Sequence, residues 1–314
     1  MDLRQLEYFV AVAEEANFTR AARRVHITQS GISAQIRQLE REVGARLIDR
    51  SSRVATLTVA GEAALVHARA ALAAARATAE AVGEVTGVVR GRLRVGMVSG
   101  CTVTALFDAL AAFHRAHPGV DLGVTEANSD ALIGRVREGR LDLALVGVLG
   151  DPPADLGSLT VVREGLVALV PGDHPLAAAG AVTPDALADH PLISMPPGTG
   201  IRAVLDLACA DRGRAARVTI QASAPTAVVD LARRGLGVAV LSASMASLAP
   251  DLTPLPLADL PRPGVLALVW SSAPGPALRA LVRHCEREFA ASRGRRGTDA
   301  ASGADRSAEG AGAP

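Results

Sequence analysis

The sequence predicts an α/β protein that opens with a small helical unit, passes through one long helix and closes with alternating strands and helices. Three observations predict it. Apolar residues recur at helical spacing through residues 1–50, an alanine-rich stretch runs from Thr58 to Glu84 with breakers only at Gly61 and Gly83, and after Gly87 short apolar runs alternate with helical ones. The chain has 314 residues, enough for two compact units at roughly 150 residues each. Apolar residues make up 49% and charged residues 21%, which supplies globular cores and excludes wholesale disorder.

In the first helix Leu6, Phe9, Val10 and Ala13 fall on one face, with charges opposite. Thr19 is expected to cap a short second helix whose Ala21, Ala22 and Val25 face inward. His26 and Ile27 then make a tight turn, and Thr28 caps a third helix. Ile32, Ile36, Leu39 and Val43 form the expected buried face of that third helix, leaving Gln29, Ser30, Ser33, Ala34, Arg37 and Arg41 outward. Short hydroxyl and amide side chains near a helix N-terminus, followed by arginine, suit a helix whose leading end enters a DNA major groove. Glutamine can pair with an adenine edge, serine with several bases, and arginine with guanine or phosphate. Most polar helix faces are merely solvated, but the turn spacing and two caps favour DNA recognition here.

The next segment, ARLIDRSSRVATLTVAGE, places two β-prone runs around a turn containing Ser51 and Ser52, with Arg46, Arg50 and Arg53 nearby. This reads as a wing whose arginines meet DNA phosphates; ordinary surface arginines are the alternative for any one of them. Residues 1–60 hold nine arginines against seven acids, so a basic face must come from arrangement. The long helix after it would extend roughly 40 Å. A second copy of the chain is the simplest way to bury its apolar stripe, and folding back on its own domain is the alternative.

The β-type runs are LRVGMV, VDLGVT, LDLALVGV, LVALV, LISM, VTIQ, GVAVLS and VLALVW, implying α/β layers with largely parallel sheets. SDALIGRVREGRLDLALVG echoes PTAVVDLARRGLGVAVLS, each a helix, a glycine stop at Gly139 or Gly235 and a buried strand, which suggests two similar lobes. The Gly-, Ala-, Ser- and charge-rich tail is expected to be disordered.

Composition also removes functions. All 33 basic side chains are arginine, so a P-loop, a pyridoxal-phosphate Schiff base and a protein-kinase lysine are excluded. The formal net charge is +1, so no global field declares a partner. Cys101, Cys209 and Cys285 form no CxxC pair, which fits a reduced, cytoplasmic setting. MDLRQLEYFVAVAEE lacks the apolar stretch of a signal peptide, and no membrane partner is expected. The histidines show no metal spacing and GxSxG is absent, so neither metal, cofactor nor catalytic residue is expected. Competing readings are a small-molecule binding protein whose N-terminal helices serve assembly, and an enzyme built on the α/β part.

LRQLEYFVAVAEEANFTRAARRVHITQSGISAQIRQLEREVGARLIDR, followed by LTVAGE, GRLRVGMV, LDLALVG and RRGLGVAVL, resembles the LysR-type transcriptional regulators over most of the chain. The resemblance implies a winged helix-turn-helix in residues 1–60, a linker and dimerisation helix in 61–87, an effector domain in 88–292, and a tail in 293–314. It implies effector lobes like those of periplasmic binding proteins, lobe I being 88–161 and 266–292 and lobe II being 162–265. The implied partners are double-stranded DNA, a small polar or anionic effector, a second copy of the chain in a dimer or tetramer, and RNA polymerase. Gln29, Ser30, Ser33 and Arg37 match the family's DNA-reading positions, and Thr19, Thr28, Arg50 and Arg53 complete the DNA-binding set. The sequence departs from many relatives at Ala34 and Ser30, which bears on base preference. For an effector held between lobes at helix N-termini, the candidates are Ser99, Gly100, Cys101, Thr102, Asn128, Ser129, Gly198, Thr199, Gly200, Ser223 and Thr226. Each could instead be an ordinary helix cap, and Cys101 either a thiol sensor or a buried filler.

Overall fold

The computed structural model describes residues 1–50, 54–85 and 91–306. The chain divides into two compact units, one built on residues 1–89 with Arg137–Arg140 and the other on 90–136 with 141–314.

The first unit contains α1 (Leu3–Glu15), α2 (Phe18–Arg24), α3 (Gln29–Val43), the short strands β1 (Ile48–Asp49) and β2 (Thr56–Leu57), and α4 (Val59–Val85). A capping box starts α1: Gln5 N–H donates to the Asp2 carboxylate at 2.8 Å, and Asp2 N–H donates to the Gln5 amide oxygen at 2.9 Å. The cap of α2 is Asn17, not Thr19; its side-chain oxygen accepts from the N–H groups of Thr19 and Arg20. The planar amide reaches both N–H groups from one residue before the helix, while Thr19 is already inside it. Thr28 caps α3 as expected, accepting from Gly31 N–H at 3.1 Å.

Phe9, Val12, Ala21, Ile32, Ile36, Leu39, Leu47 and Ile48 form the core of this unit. Val43 departs from expectation, being 44% exposed, because the packing over Ile32, Ile36 and Leu39 stops short of the last turn of α3. The paired strands put Ile48 opposite Leu57. Their base is tied to the start of α4: the Thr58 hydroxyl donates to Arg46 O at 2.7 Å and accepts from Gly61 N–H at 3.0 Å. Gly61 is required there, since a Cβ would sit 2.0 Å from the carbonyl oxygen of Leu47.

The second unit runs β3 (Gly91–Val98), α5 (Thr104–Ala116), β4 (Val120–Ala127), α6 (Ser129–Arg137), β5 (Leu143–Leu149), β6 (Gly157–Glu164), β7 (Leu166–Val170), α7 (Pro184–Ala188), β8 (Leu192–Ser194), α8 (Gly200–Ala210), β9 (Val218–Gln221), α9 (Pro225–Arg233), β10 (Val238–Ser242), β11 (Thr253–Pro256), β12 (Gly264–Trp270) and α10 (Pro276–Arg306). These make two five-stranded sheets, in the orders β4-β3-β5-β12-β6 and β11-β7-β10-β8-β9. Both are mixed rather than largely parallel: β12 runs antiparallel to β5 and β6, and β7 antiparallel to β10 and β11. The antiparallel strands are those by which the chain leaves one sheet for the other and returns, so each sheet takes a strand against its own grain.

Side-chain alternation explains the continuous apolar runs in the second sheet. Leu166, Ala168, Val170, Val238 and Val240 join one core cluster, while Val167, Leu169, Ala239 and Leu241 join another. Both sheet faces are therefore covered. Eight strands match the apolar runs, whereas β6 and β11 go beyond them. β6 alternates polar residues along a sheet edge, and β11 carries Pro254 and Pro256, tolerated because it too is an edge. The crossing falls at Gly165, between β6 and β7, rather than at 161–162, and the return strand begins at Gly264 rather than 266. α10 continues to Arg306, past residue 292, where a disordered tail is expected.

Candidate DNA-reading surface and ligand cleft

The outward face of α3 follows from burial of the opposite one. Gln29, Ser30, Ala34, Arg37 and Arg41 are exposed and Ser33 is half-buried. Thr28 is also exposed, its hydroxyl 3.2 Å from that of Ser30, and Thr19 is exposed at the start of α2. Farther along, Arg37, Glu40, Arg41 and Arg46 border one open hollow with Ala34, Gly44 and Ala45. Three cations against one carboxylate favour an anion there, and that carboxylate is already engaged.

Glu40 fastens the strand pair to α3. One oxygen accepts from the N–H groups of Leu47 and Ile48 at 3.0 and 3.1 Å, and the other accepts from Arg50 Nη2 at 2.8 Å. The Arg50 guanidinium also lies over the Phe18 ring, 5.2 Å from its centre. Arg50, expected to meet phosphate, is exposed and also has these partners within the protein, a role that sequence reading missed together with those of Glu40 and Phe18. Their contacts span the helix, the strand pair and α2, which periodicity within one helix does not report. Arg53, Ser51 and Ser52 lie outside the described residues.

In the same unit, Arg69 of α4 is almost wholly buried and donates to Glu14 at 3.0 Å and to Glu138 at 3.3 Å. Burial opposes ionisation of Glu14, but hydrogen bonds and charge from Arg24 and Arg69 outweigh it and hold its carboxyl below the ordinary value.

In the second unit, a cleft of about 230 Å3 gathers most of the expected ligand residues. Ser99, Cys101, Thr102, Asn128, Ser129, Thr199, Gly200 and Ser223 line it; Gly100, Gly198 and Thr226 do not. Gly100 N–H donates instead to Glu126 at 3.2 Å, Gly198 O accepts from Asp130 N–H, and Thr226 is exposed on α9. Two of the lining side chains also serve as caps: Asn128 accepts from Ala131 N–H at 2.9 Å and Thr199 from Arg202 N–H at 3.3 Å. Ser129 Oγ accepts from Gly147 N–H at 3.0 Å. Here α8 meets β5 backbone to backbone, and a Cβ on Gly200 would come within 2.5 Å of the Gly147 carbonyl carbon. Burial pushes the Cys101 thiol up, which suits a filler better than a reactive thiolate.

The cleft also has walls that the sequence did not disclose: Leu166, Met195, Ile201, Met245, Val265 and Leu266, with Ser242, Ser244 and Glu164. Glu164 ends β6, one of the strands missed. Its two oxygens accept from Ser244 N–H at 2.7 Å and from the Ser244 hydroxyl at 2.8 Å. Among the described residues no cluster of three or more His, Cys, Asp or Glu could hold a metal ion. Among them, too, no helix is long and apolar enough to cross a membrane.

The family model for the bacterial regulatory helix-turn-helix of the lysR family matches residues 3–62, and that for the LysR substrate binding domain matches residues 86–290. The chain is 36% identical over 274 residues to YnfL, an uncharacterized HTH-type transcriptional regulator of Escherichia coli, covering 86% of this chain and 92% of that protein. It is 34% identical to the HTH-type transcriptional regulator IlvR of Caulobacter vibrioides, covering 90% and 97%. Among solved structures it resembles full-length OxyR from Pseudomonas aeruginosa, with a TM-score of 0.72, 26% identity and coverage of 92% and 94%. With its helix-turn-helix followed by a substrate-binding domain, the chain belongs to the LysR family of DNA-binding transcription regulators, and it is a regulator rather than an enzyme.

Proposed function

We propose that α3 reads operator DNA from the major groove through Gln29, Ser30, Ser33 and Arg37, with Thr19 and Thr28 at the leading end. The observation that carries this reading is the unburied polar face of α3, held in orientation by the Thr28 cap. Arg50 positions the wing through Glu40 and Phe18, and Arg41 and Arg46 flank the reading face where phosphates would pass. The unit acts as a homo-oligomer, dimer or tetramer, in the cytoplasm, with α4 as its dimerising helix. Exposed Val59 and Val66 on α4 support this. A small polar or anionic effector occupies the cleft, and its different affinity for two lobe arrangements alters promoter engagement, including contact with RNA polymerase.

The test is a gel-shift titration of the whole protein on DNA from upstream of its own gene, beside a random duplex of equal length. Preference for the upstream DNA is expected, with half-sites about 10 base pairs or a multiple apart. Equal affinity for the two duplexes would remove the specific-reader proposal.

A further inference from the structure

The effector cleft holds one formal charge, and it is negative. Among the described residues lining it, Glu164 is the one carboxylate, and neither arginine nor histidine is present. The neighbouring cation is committed elsewhere, because Arg163 pairs with Asp151 at 2.7 Å. Glu164 has no ion-pair partner among the described residues, while Asp142, Asp206 and Asp251 are all paired with arginines. Ser244 grips both of its oxygens and fixes its direction. Each oxygen keeps a lone pair that a ligand could use.

A carboxylate beside apolar walls repels a purely anionic ligand and attracts a cationic nitrogen, with an effect larger than in water. Elsewhere the lining carries no formal charge, and Glu126, outside it, accepts from Gly100 N–H. Val103 and Ser223 line the cleft where α5 and α9 begin, and neither helix has a side-chain cap on its first N–H groups. Pro225 has no N–H, and the N–H groups of Leu106 and Ala227 donate to Val103 O and Ala224 O, so the N–H groups of Thr104 and Ala105 at the start of α5, with the nearby hydroxyls of Ser99 and Thr102, are those that suit a carboxylate. Methionine, leucine, isoleucine and valine side chains line the same cleft.

We infer that the effector is a small apolar zwitterion of the amino-acid class, whose ammonium group pairs with Glu164 while its carboxylate meets the N-terminus of α5. This rests on the cleft being the effector site and adds to it the positive charge that an anionic ligand lacks.

The experiment measures thermal shifts and calorimetric binding of the whole protein with the twenty common amino acids. For each apolar one it adds the acid without the amino group and the amine without the carboxyl. At least one apolar amino acid should bind, with both truncated analogues weaker by about tenfold or more. Glu164→Gln, which keeps the shape, should weaken that amino acid by about tenfold, and Ser244→Ala, which keeps the charge, by less than about threefold. The inference falls if the deaminated acid binds as well as its parent, if Glu164→Gln changes nothing, if Ser244→Ala costs as much as Glu164→Gln, or if no apolar amino acid binds at millimolar concentration. Ser223→Trp, at the exposed rim, separates the two readings. Tight deaminated-acid binding that this variant abolishes overturns the zwitterion and leaves the cleft, whereas binding that survives it overturns the cleft as the site.

Discussion

Arg37 and Arg50 show how two residues of one type are sorted by what surrounds them. Arg50 stacks on Phe18 and bonds Glu40, while the Arg37 side chain stands exposed with no ion-pair partner among the described residues. Arg37→Ala is therefore expected to relax discrimination at one base position, costing about 1–3 kcal/mol on the preferred site and little on random DNA. Gel shifts on single-base operator variants measure this; an equal loss on every duplex would make Arg37 a phosphate contact. The outward side chains of α3 were legible because they are the complement of a 3.6-residue apolar stripe. The internal contacts of Arg50 were illegible because its partners lie 10 and 32 positions away in sequence, and charge alone does not say which anion a guanidinium finds.

At the scale of elements, the strand pair after α3 depends on one carboxylate. Glu40→Ala leaves the N–H groups of buried Leu47 and Ile48 without their acceptor, a loss of about 1–3 kcal/mol. It also releases Arg50. On the proposed reading, in which the wing meets phosphates, affinity should fall on specific and random duplexes alike with base preference kept. Loss confined to one base pair in a binding-site selection would contradict this. The strands of the second unit were legible where both faces are apolar, as in β7 and β10, and illegible where they lie at an edge. β11 reads as a loop because two prolines forbid donation on one side, and only the sheet order shows that this side needs no donor.

At the scale of the whole molecule, the order of units and the cleft's hydroxyl rim could be anticipated, whereas Glu164 could not, because β6 was not recognised as a strand. One global response follows from Glu14. Its carboxyl is held below the ordinary value, so the stabilisation it brings is complete above the normal carboxylate range and disappears as pH falls through the lowered value. Thermal unfolding from about pH 7 down to about pH 3 should show the first unit losing stability in acid, and Glu14→Gln should lose less across that window. Parallel curves for the two proteins would show that the Arg24 and Arg69 contacts carry no linkage.

Only Gly165 separates the last residue of β6 from the first of β7. A ribbon with so short an interruption has few torsions in which to store a bend, and its ladder neighbours hold the residues on either side. Ligand-driven rearrangement of the effector domain is therefore expected to be a twist of a few degrees about this ribbon rather than a clamshell swing, so a distance probe across the cleft should report displacements of an ångström or two.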